Sequence, residues 1–228
     1  MKKRNFVFLG ILSILIFILT GCSPKEEPKI NDKLDAEISY IEDLILKIVN
    51  KYAKNEYTED NKINFDYIKD DVNRINDSSA ILILDLTEIN IANEQILNFS
   101  NHLNDLIITI GKKDEIKMID NLSQMYADIL MFKSSYTKNK NIIKKAEIKK
   151  EVLDIFNLSN KSEFDTANGK IENVIQNYKN LMNDADYVKE NSYNLNKIYI
   201  LLEEYKNCLI TQNYDLISIK YISTIENL

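Results

Sequence analysis

The stretch "LDAEISYIEDLILKIVNKY" at residues 34–52 decides the fold. Its apolar residues recur at intervals of four and three, the heptad spacing of a helix that packs along one seam. The seam consists of Leu34, Ile38, Ile41, Ile45, Ile48 and Tyr52. Lys51 and Lys54 lie near its end, where cations suit the helix dipole. The pattern predicts an amphipathic helix over 31–54.

The rest of the chain after the first segment also has the features of helical sequence. From Lys29 to Leu228 there is no proline. A proline inside a helix costs about 3 kcal/mol, so its absence over this range favours helices. The apolar spacing resumes at Phe65, Leu82, Ile119, Ile143, Ile171 and Leu195. We therefore predict an all-α protein, an elongated antiparallel up-and-down helical bundle of about four to six helices with heptad-like packing.

Helix length predicts where the long apolar segments break. A continuous helix over 60–110 would be about 75 Å long, whereas the helix over 31–54 would be about 36 Å long. Because a compact bundle needs helices of similar length, we expect breaks near 76–79, 137–141 and 188–193. A rod of unbroken helices is the alternative.

Three local signals add further expectations. Thr58 is followed by two acidic residues, which predicts a cap for the next helix. Gly111 is expected just past a helix end, where glycine accepts a left-handed backbone. The Asn-Gly pair in "ANGK" at 167–170 predicts a loop or a late helix start.

The chain begins with a leader of the secretory type. Three basic residues within the first five precede an apolar run from Phe6 to Leu19, interrupted by Gly10 and Ser13. The run has 14 residues, fewer than the roughly 20 that a membrane-spanning helix needs. A basic start followed by a short apolar run and small residues is typical of a secretory signal peptide.

The leader ends in Leu19-Thr20-Gly21-Cys22, which resembles the lipobox of bacterial lipoproteins. The resemblance implies that Cys22 receives a diacylglyceryl group, with fatty-acyl chains such as palmitate, on its sulfur. It also implies that the peptidase recognises Leu19, Thr20 and Gly21 and cuts before Cys22. The protein would then be held by lipid on the extracytoplasmic face of the cell membrane. An ordinary signal peptide with a chance cysteine and an uncleaved signal anchor are the alternatives.

These features divide the chain into three parts. Residues 1–21 are the expected signal peptide, 22–30 the lipidated cysteine with a flexible tether that contains both prolines, and 31–228 the helical bundle domain. Heavy use of Ile, Asn and Lys, which have AT-rich codons, points to a low-GC bacterium.

The charge of the chain excludes one class of partner. All 35 acidic residues follow Cys22, while three of the 29 basic residues precede it, so the mature chain is more acidic than the net charge of −6 indicates. Nucleic acid requires a basic face, so no nucleic-acid partner is expected. The average charge also predicts mild repulsion from an anionic membrane, which suits a domain on a tether.

Groups suited to catalysis or metal binding are scarce. His102 is the single histidine and Cys208 the single cysteine besides Cys22, and neither lies in a nucleophile motif. We expect His102 on a helix flank, Cys208 buried, and Met118, Met125 and Met131 in core packing. We therefore predict no catalytic residue, no metal site and no cofactor.

The function that these observations favour is a non-enzymatic lipoprotein. Its bundle would bind or space a protein, cell-wall or other envelope partner, besides contacting the membrane through the lipid on Cys22. The alternative is a module that holds a small ligand or metal in a bundle cavity. Six tyrosines crowd the last forty or so residues: Tyr187, Tyr193, Tyr199, Tyr205, Tyr214 and Tyr221. They could form a contact surface for a partner, or they could simply flank the helical seam.

Overall fold

Helices account for almost all of residues 32–59 and 62–228, the part of the chain that the computed structural model describes. The nine helices within it are α1 Asp32–Ala53, α2 Phe65–Glu88, α3 Asn93–Lys112, α4 Glu115–Tyr136, α5 Lys140–Asn160, α6 Phe164–Met182, α7 Ala185–Asn191, α8 Leu195–Thr211 and α9 Tyr214–Asn227. Two short strands, β1 Thr58–Glu59 and β2 Lys62–Ile63, pair antiparallel between α1 and α2. The all-α prediction is confirmed, but the helices outnumber the four to six expected.

The helices form two antiparallel four-helix rings that share one core. In the first ring α1 packs on α2, α2 on α3, α3 on α4, and α4 back on α1. In the second ring α5 packs on α6, α6 on α8, α8 on α9, and α9 back on α5. The rings join where α4 packs on α5 and α9 contacts α1. The short helix α7 packs on α6.

The heptad seam of α1 lies in the core as predicted. Its Leu34 is 1% exposed, and the four isoleucines of the seam are fully buried. Tyr52 is half-buried at the end of the helix. Because these residues repeat on one face, α1 can contact α2 and α4 together along its length.

The up-and-down path gives the body two distinct ends. The first end carries the start of α1, the turns at 89–92 and 137–139, and the segment 183–194, which contains α7. The second end carries the strand hairpin and the turns at 113–114, 161–163 and 212–213. Contacts across the first end confirm this placement: Lys33 Nζ lies 3.1 Å from Asp85 Oδ2, and the Tyr136 hydroxyl donates to Asp35 Oδ1 over 2.7 Å.

The predicted breaks have mixed outcomes. Breaks occur near 137–141 and 188–193, where α4 ends at Tyr136 and where α8 begins at Leu195. The break at 76–79 is wrong, because α2 runs without interruption from Phe65 to Glu88. Its polar residues Asn76 and Asp77 are exposed, so they cost the helix little. The turn lies instead at 89–92, where Asn90 adopts a left-handed backbone with φ 61°.

The local signals were less accurate than the periodicity. Thr58 lies in a strand, and α2 is capped by Asn64, whose side chain accepts a hydrogen bond from the Asp66 backbone N–H. Gly111 lies inside α3, and Lys113 takes the left-handed position after it with φ 59°. Residues 167–170 are helical within α6, so the loop predicted there is wrong.

Replacing Gly169 with alanine should therefore stabilise the protein. Gly169 is an exposed position inside α6, and a methyl group added there would meet no atom within 4 Å. Alanine restricts the unfolded chain more than glycine, so we expect a gain of about 0.5–1 kcal/mol in the free energy of unfolding. Urea denaturation measures it, with Gly111→Ala in α3 as a second helical glycine. A loss of stability in Gly169→Ala would contradict the helical assignment.

Candidate functional site

A cleft at the second end is the candidate binding site of the described body. We call it the hairpin cleft; its volume is about 680 Å³, within the range of small-molecule sites. It is lined by three aromatic rings and three charged side chains, Tyr52, Phe65, Tyr214, Lys62, Lys113 and Glu115.

Five different elements bring these side chains together. Tyr52 comes from the end of α1, Phe65 begins α2 and Tyr214 begins α9. Lys62 comes from the strand hairpin, while Lys113 and Glu115 flank the turn between α3 and α4. Apolar spacing places Tyr52 and Phe65 in two helical seams, and no sequence pattern singles out the charged residues. Their convergence depends on how distant helix ends meet.

The aromatic rings of the cleft continue into the core. Phe156 of α5 is fully buried, and its ring centroid lies 6.3 Å from that of Tyr52 and 6.4 Å from that of Tyr214. On its other side it stacks on Tyr221 with 4.3 Å between centroids. One wall of the cleft is therefore fixed by side chains from both four-helix rings of the bundle.

The ionisation of the cleft tyrosines favours binding over proton transfer. Burial raises the pKa of Tyr52, and nearby Tyr214 and Glu115 raise it further. Burial also raises the pKa of Tyr214, although its hydrogen bonds to Tyr52 and Ser218 act in the opposite direction. Both phenols therefore remain neutral at physiological pH. They can stack on a ligand and exchange hydrogen bonds with it.

A cluster around Asp71 fixes the segment that leads into the hairpin. The buried Tyr57 hydroxyl donates to Asp71 Oδ2 over 2.8 Å. Lys47 and Lys51 of α1 each place Nζ 3.1 Å from an oxygen of the same carboxylate. Burial alone would raise the pKa of Asp71, but the hydrogen bonds from Tyr57, Lys51 and Lys47 outweigh it and lower the pKa.

Replacing Asp71 with asparagine should destabilise the protein in a pH-dependent way. We expect a loss of about 2 kcal/mol in the free energy of unfolding at neutral pH, because charge-assisted hydrogen bonds are weakened. Since the folded pKa of Asp71 is lowered, this stabilisation is complete above the unfolded pKa of about 4. It is lost as the pH falls through the lower, folded pKa. Urea unfolding of both proteins from neutral to acid pH measures the difference. An unchanged difference at the acid end would contradict the role of the carboxylate charge.

His102 forms a pair with a buried carboxylate. Its Nδ1 lies 2.6 Å from Asp128 Oδ2, and its side chain is partly exposed, on the flank of α3 as expected. Burial raises the pKa of Asp128, although His102 acts to lower it. Among the hydrogen bonds of the described residues, none joins His102 to a serine, threonine or cysteine. The geometry therefore assembles two members of a triad without a nucleophile.

Cys208, Met118 and Met125 are buried as predicted, whereas Met131 lies outside the core. Cys208 of α8 is 7% exposed, and burial raises the pKa of its thiol, which disfavours the reactive thiolate. Met118 and Met125 are fully buried in the core, and Met131 is half-buried. Within residues 32–59 and 62–228, no cluster of three or more His, Cys, Asp or Glu side chains could hold a metal ion.

The expected lipidation site lies outside the described residues. This applies to Leu19, Thr20, Gly21 and Cys22, to the leader 1–21, and to the tether 22–30. In the described portion, no helix combines the length and hydrophobicity needed to cross a membrane. Comparison with protein families, with curated proteins and with solved structures finds no match.

Proposed function

We propose that this protein is an extracytoplasmic lipoprotein, held in the membrane by lipid on Cys22, whose helical body binds or spaces an envelope partner without catalysis. The observation that carries the proposal is the sequence Leu19-Thr20-Gly21-Cys22 directly after a basic start and an apolar run. Dual acylation gives durable anchoring, because each buried CH₂ contributes about 0.8 kcal/mol.

The hairpin cleft lies at the end of the body opposite the start of α1. The described body begins at Asp32 on the first end, and nine residues lie between Cys22 and that helix. An extended chain spans about 3.5 Å per residue, so the first end stays within roughly 35 Å of the anchor. The hairpin cleft lies at the opposite end, beyond helices of about 30 Å. It is therefore available to a partner in the envelope.

The cleft chemistry supports a protein or cell-wall partner. The neutral phenols of Tyr52 and Tyr214 offer stacking surfaces, while Lys62, Lys113 and Glu115 offer charged hydrogen bonds at the rim. Tyrosine is among the residues that most often dominate the binding energy of protein interfaces. Catalysis would require a nucleophile or a matched acid and base, which the cleft tyrosines do not supply.

Capture of the partner tests the proposed function. Membranes from cells that produce the full chain are cross-linked, and proteins or wall fragments bound to it are identified by mass spectrometry. Tyr214→Ala removes a partly exposed ring from the cleft, whereas Tyr193→Ala removes a ring that is 96% exposed at the first end. We expect Tyr214→Ala, but not Tyr193→Ala, to reduce recovery of the partner. Equal recovery from both variants would contradict binding at the cleft.

A small-ligand function is the second candidate, and the volume of the hairpin cleft favours it. Among the described residues, the most deeply buried ion pair is Glu42 with Lys133, which is closed within the core. A ligand would therefore bind in the cleft rather than between the helices. Native mass spectrometry of the protein as isolated distinguishes the two functions. A bound small molecule lost in Tyr214→Ala would support the ligand function.

A further inference from the structure

Lysines gather at the first end of an otherwise acidic chain. The segment "TKNKNIIKK" at 137–145, which we call the basic turn, holds four lysines, two isoleucines and no acid. It consists of the turn after α4 and the first turns of α5. Lys189 of α7 faces the same cleft of about 490 Å³ as Lys138, Lys140 and Lys144. The net negative charge of the chain therefore conceals a local positive surface.

Part of this positive charge is neutralised, because Asp184 and Asp186 line the same cleft. Lys144 Nζ lies 2.6 Å from Asp184 Oδ2. Among the described residues, no carboxylate forms an ion pair with Lys140 or Lys145. Between these lysines Ile142 is 47% exposed. Clustered lysines near a membrane surface attract anionic lipid headgroups.

We propose that the basic turn docks on the anionic phospholipid headgroups of the membrane that holds the protein. This rests on the proposed anchoring through Cys22. The basic turn and the start of α1 share the first end, where the Tyr136 hydroxyl bonds Asp35 of α1. The anchor therefore keeps the basic turn near the membrane surface, where lysines attract anionic lipids within a Debye length.

Docking would orient the body as well as attract it. Contact at the basic turn places the helices upright on the membrane and directs the hairpin cleft outward. Ile142 would enter the headgroup region, while Lys140 and Lys145 meet lipid phosphates. An acidic body without this contact would instead move freely on its tether.

Lysine acetylation on vesicles tests the docking. The full chain, purified from membranes, is placed in phosphatidylcholine vesicles with or without about 30% phosphatidylglycerol. Floated vesicles are treated with an amine-acetylating reagent, and modification of each lysine is followed by mass spectrometry. We expect anionic lipid to slow modification of Lys140 and Lys145 about fivefold, and about 1 M salt to abolish this protection. Lys69 and Lys117 at the second end should react equally on both vesicles.

Two matched charge-reversal variants identify which surface of the protein anionic lipid protects from acetylation. In Lys140→Glu/Lys145→Glu the lipid-dependent protection of Lys138 should disappear. Lys69→Glu/Lys117→Glu changes the net charge equally, at two exposed lysines of the second end, and should keep the protection. Equal modification of Lys140 on both vesicles, or equal loss in both variants, would overturn the docking.

The anchor is examined separately in the same sample. The mass of the N-terminal peptide reports whether Cys22 carries lipid. Lipid on Cys22 without protection of the basic turn overturns the docking alone. Protection on a chain without lipid at Cys22 overturns the proposed anchoring and leaves the docking surface supported.

Discussion

Replacing Lys133 with methionine should lower the free energy of unfolding by about 3–5 kcal/mol, because it leaves the buried carboxylate of Glu42 without its partner. Lys133 of α4 and Glu42 of α1 form an ion pair in which both side chains are about nine-tenths buried. The Tyr126 hydroxyl donates to the second oxygen of Glu42 over 2.8 Å. The pair therefore joins two helices of the first ring inside the core.

Two further variants separate the cost of a lone charge from lost packing. Lys54→Met removes a lysine whose ion pair with Glu226 is exposed, and it should cost less than about 1 kcal/mol. Glu42→Gln/Lys133→Met removes both buried charges and should recover part of the loss. Urea denaturation at neutral pH measures all three. A loss in Lys133→Met no larger than in Lys54→Met would show that Glu42 is not desolvated.

Replacing Phe156 with alanine should cost about 3–5 kcal/mol and also loosen the hairpin cleft. The buried Phe156 ring contacts Tyr52 of α1 as well as Tyr214 and Tyr221 of α9. Removing the Phe156 side chain leaves a cavity where the two four-helix rings meet. Calorimetry measures the stability, and Phe156→Leu, which keeps most of the volume, should lose clearly less. An Ala variant as stable as the Leu variant would contradict this role.

Apolar periodicity predicted the helices because each helix buries one face. The seam of α1 and the seams that begin at Phe65 and Ile119 lie in the core or pack against it, whereas Leu216 and Ile219 of the seam that begins at Leu195 are exposed. Burial of these residues depends only on their spacing along their own helix. Fold class and buried faces could therefore be deduced without knowing the neighbouring helices.

The positions of the helix ends depend on the exposure of polar side chains and on the backbone conformation of single residues. The spacing of apolar residues does not indicate either of these. The polar residues at 76–79 tolerate a helix because Asn76 and Asp77 face solvent and Ser79 bonds the Asn76 carbonyl oxygen. Asn90 alone marks the true turn, through a left-handed backbone that asparagine accepts. Treating 60–110 as one segment with a break at 76–79 misplaced the boundary of α2 and contributed to the low helix count.

The candidate site required contacts between residues far apart in the sequence. In the hairpin cleft, Tyr52 meets Tyr214 only because α9 returns to α1. No periodic pattern pairs such positions. The basic turn is different, since its four lysines lie within one short segment of the sequence. Only its place at the same end as the start of α1 depends on the fold.

The mass of the N-terminal peptide of the mature protein tests the central claim most directly. The full chain is produced in a bacterium that processes lipoproteins, extracted from membranes and digested for mass spectrometry. We expect a first peptide that begins at Cys22 and carries a diacylglyceryl thioether, with no peptide from residues 1–21. A chain that still begins at Met1, or that carries an unmodified thiol at Cys22, would contradict the lipoprotein account.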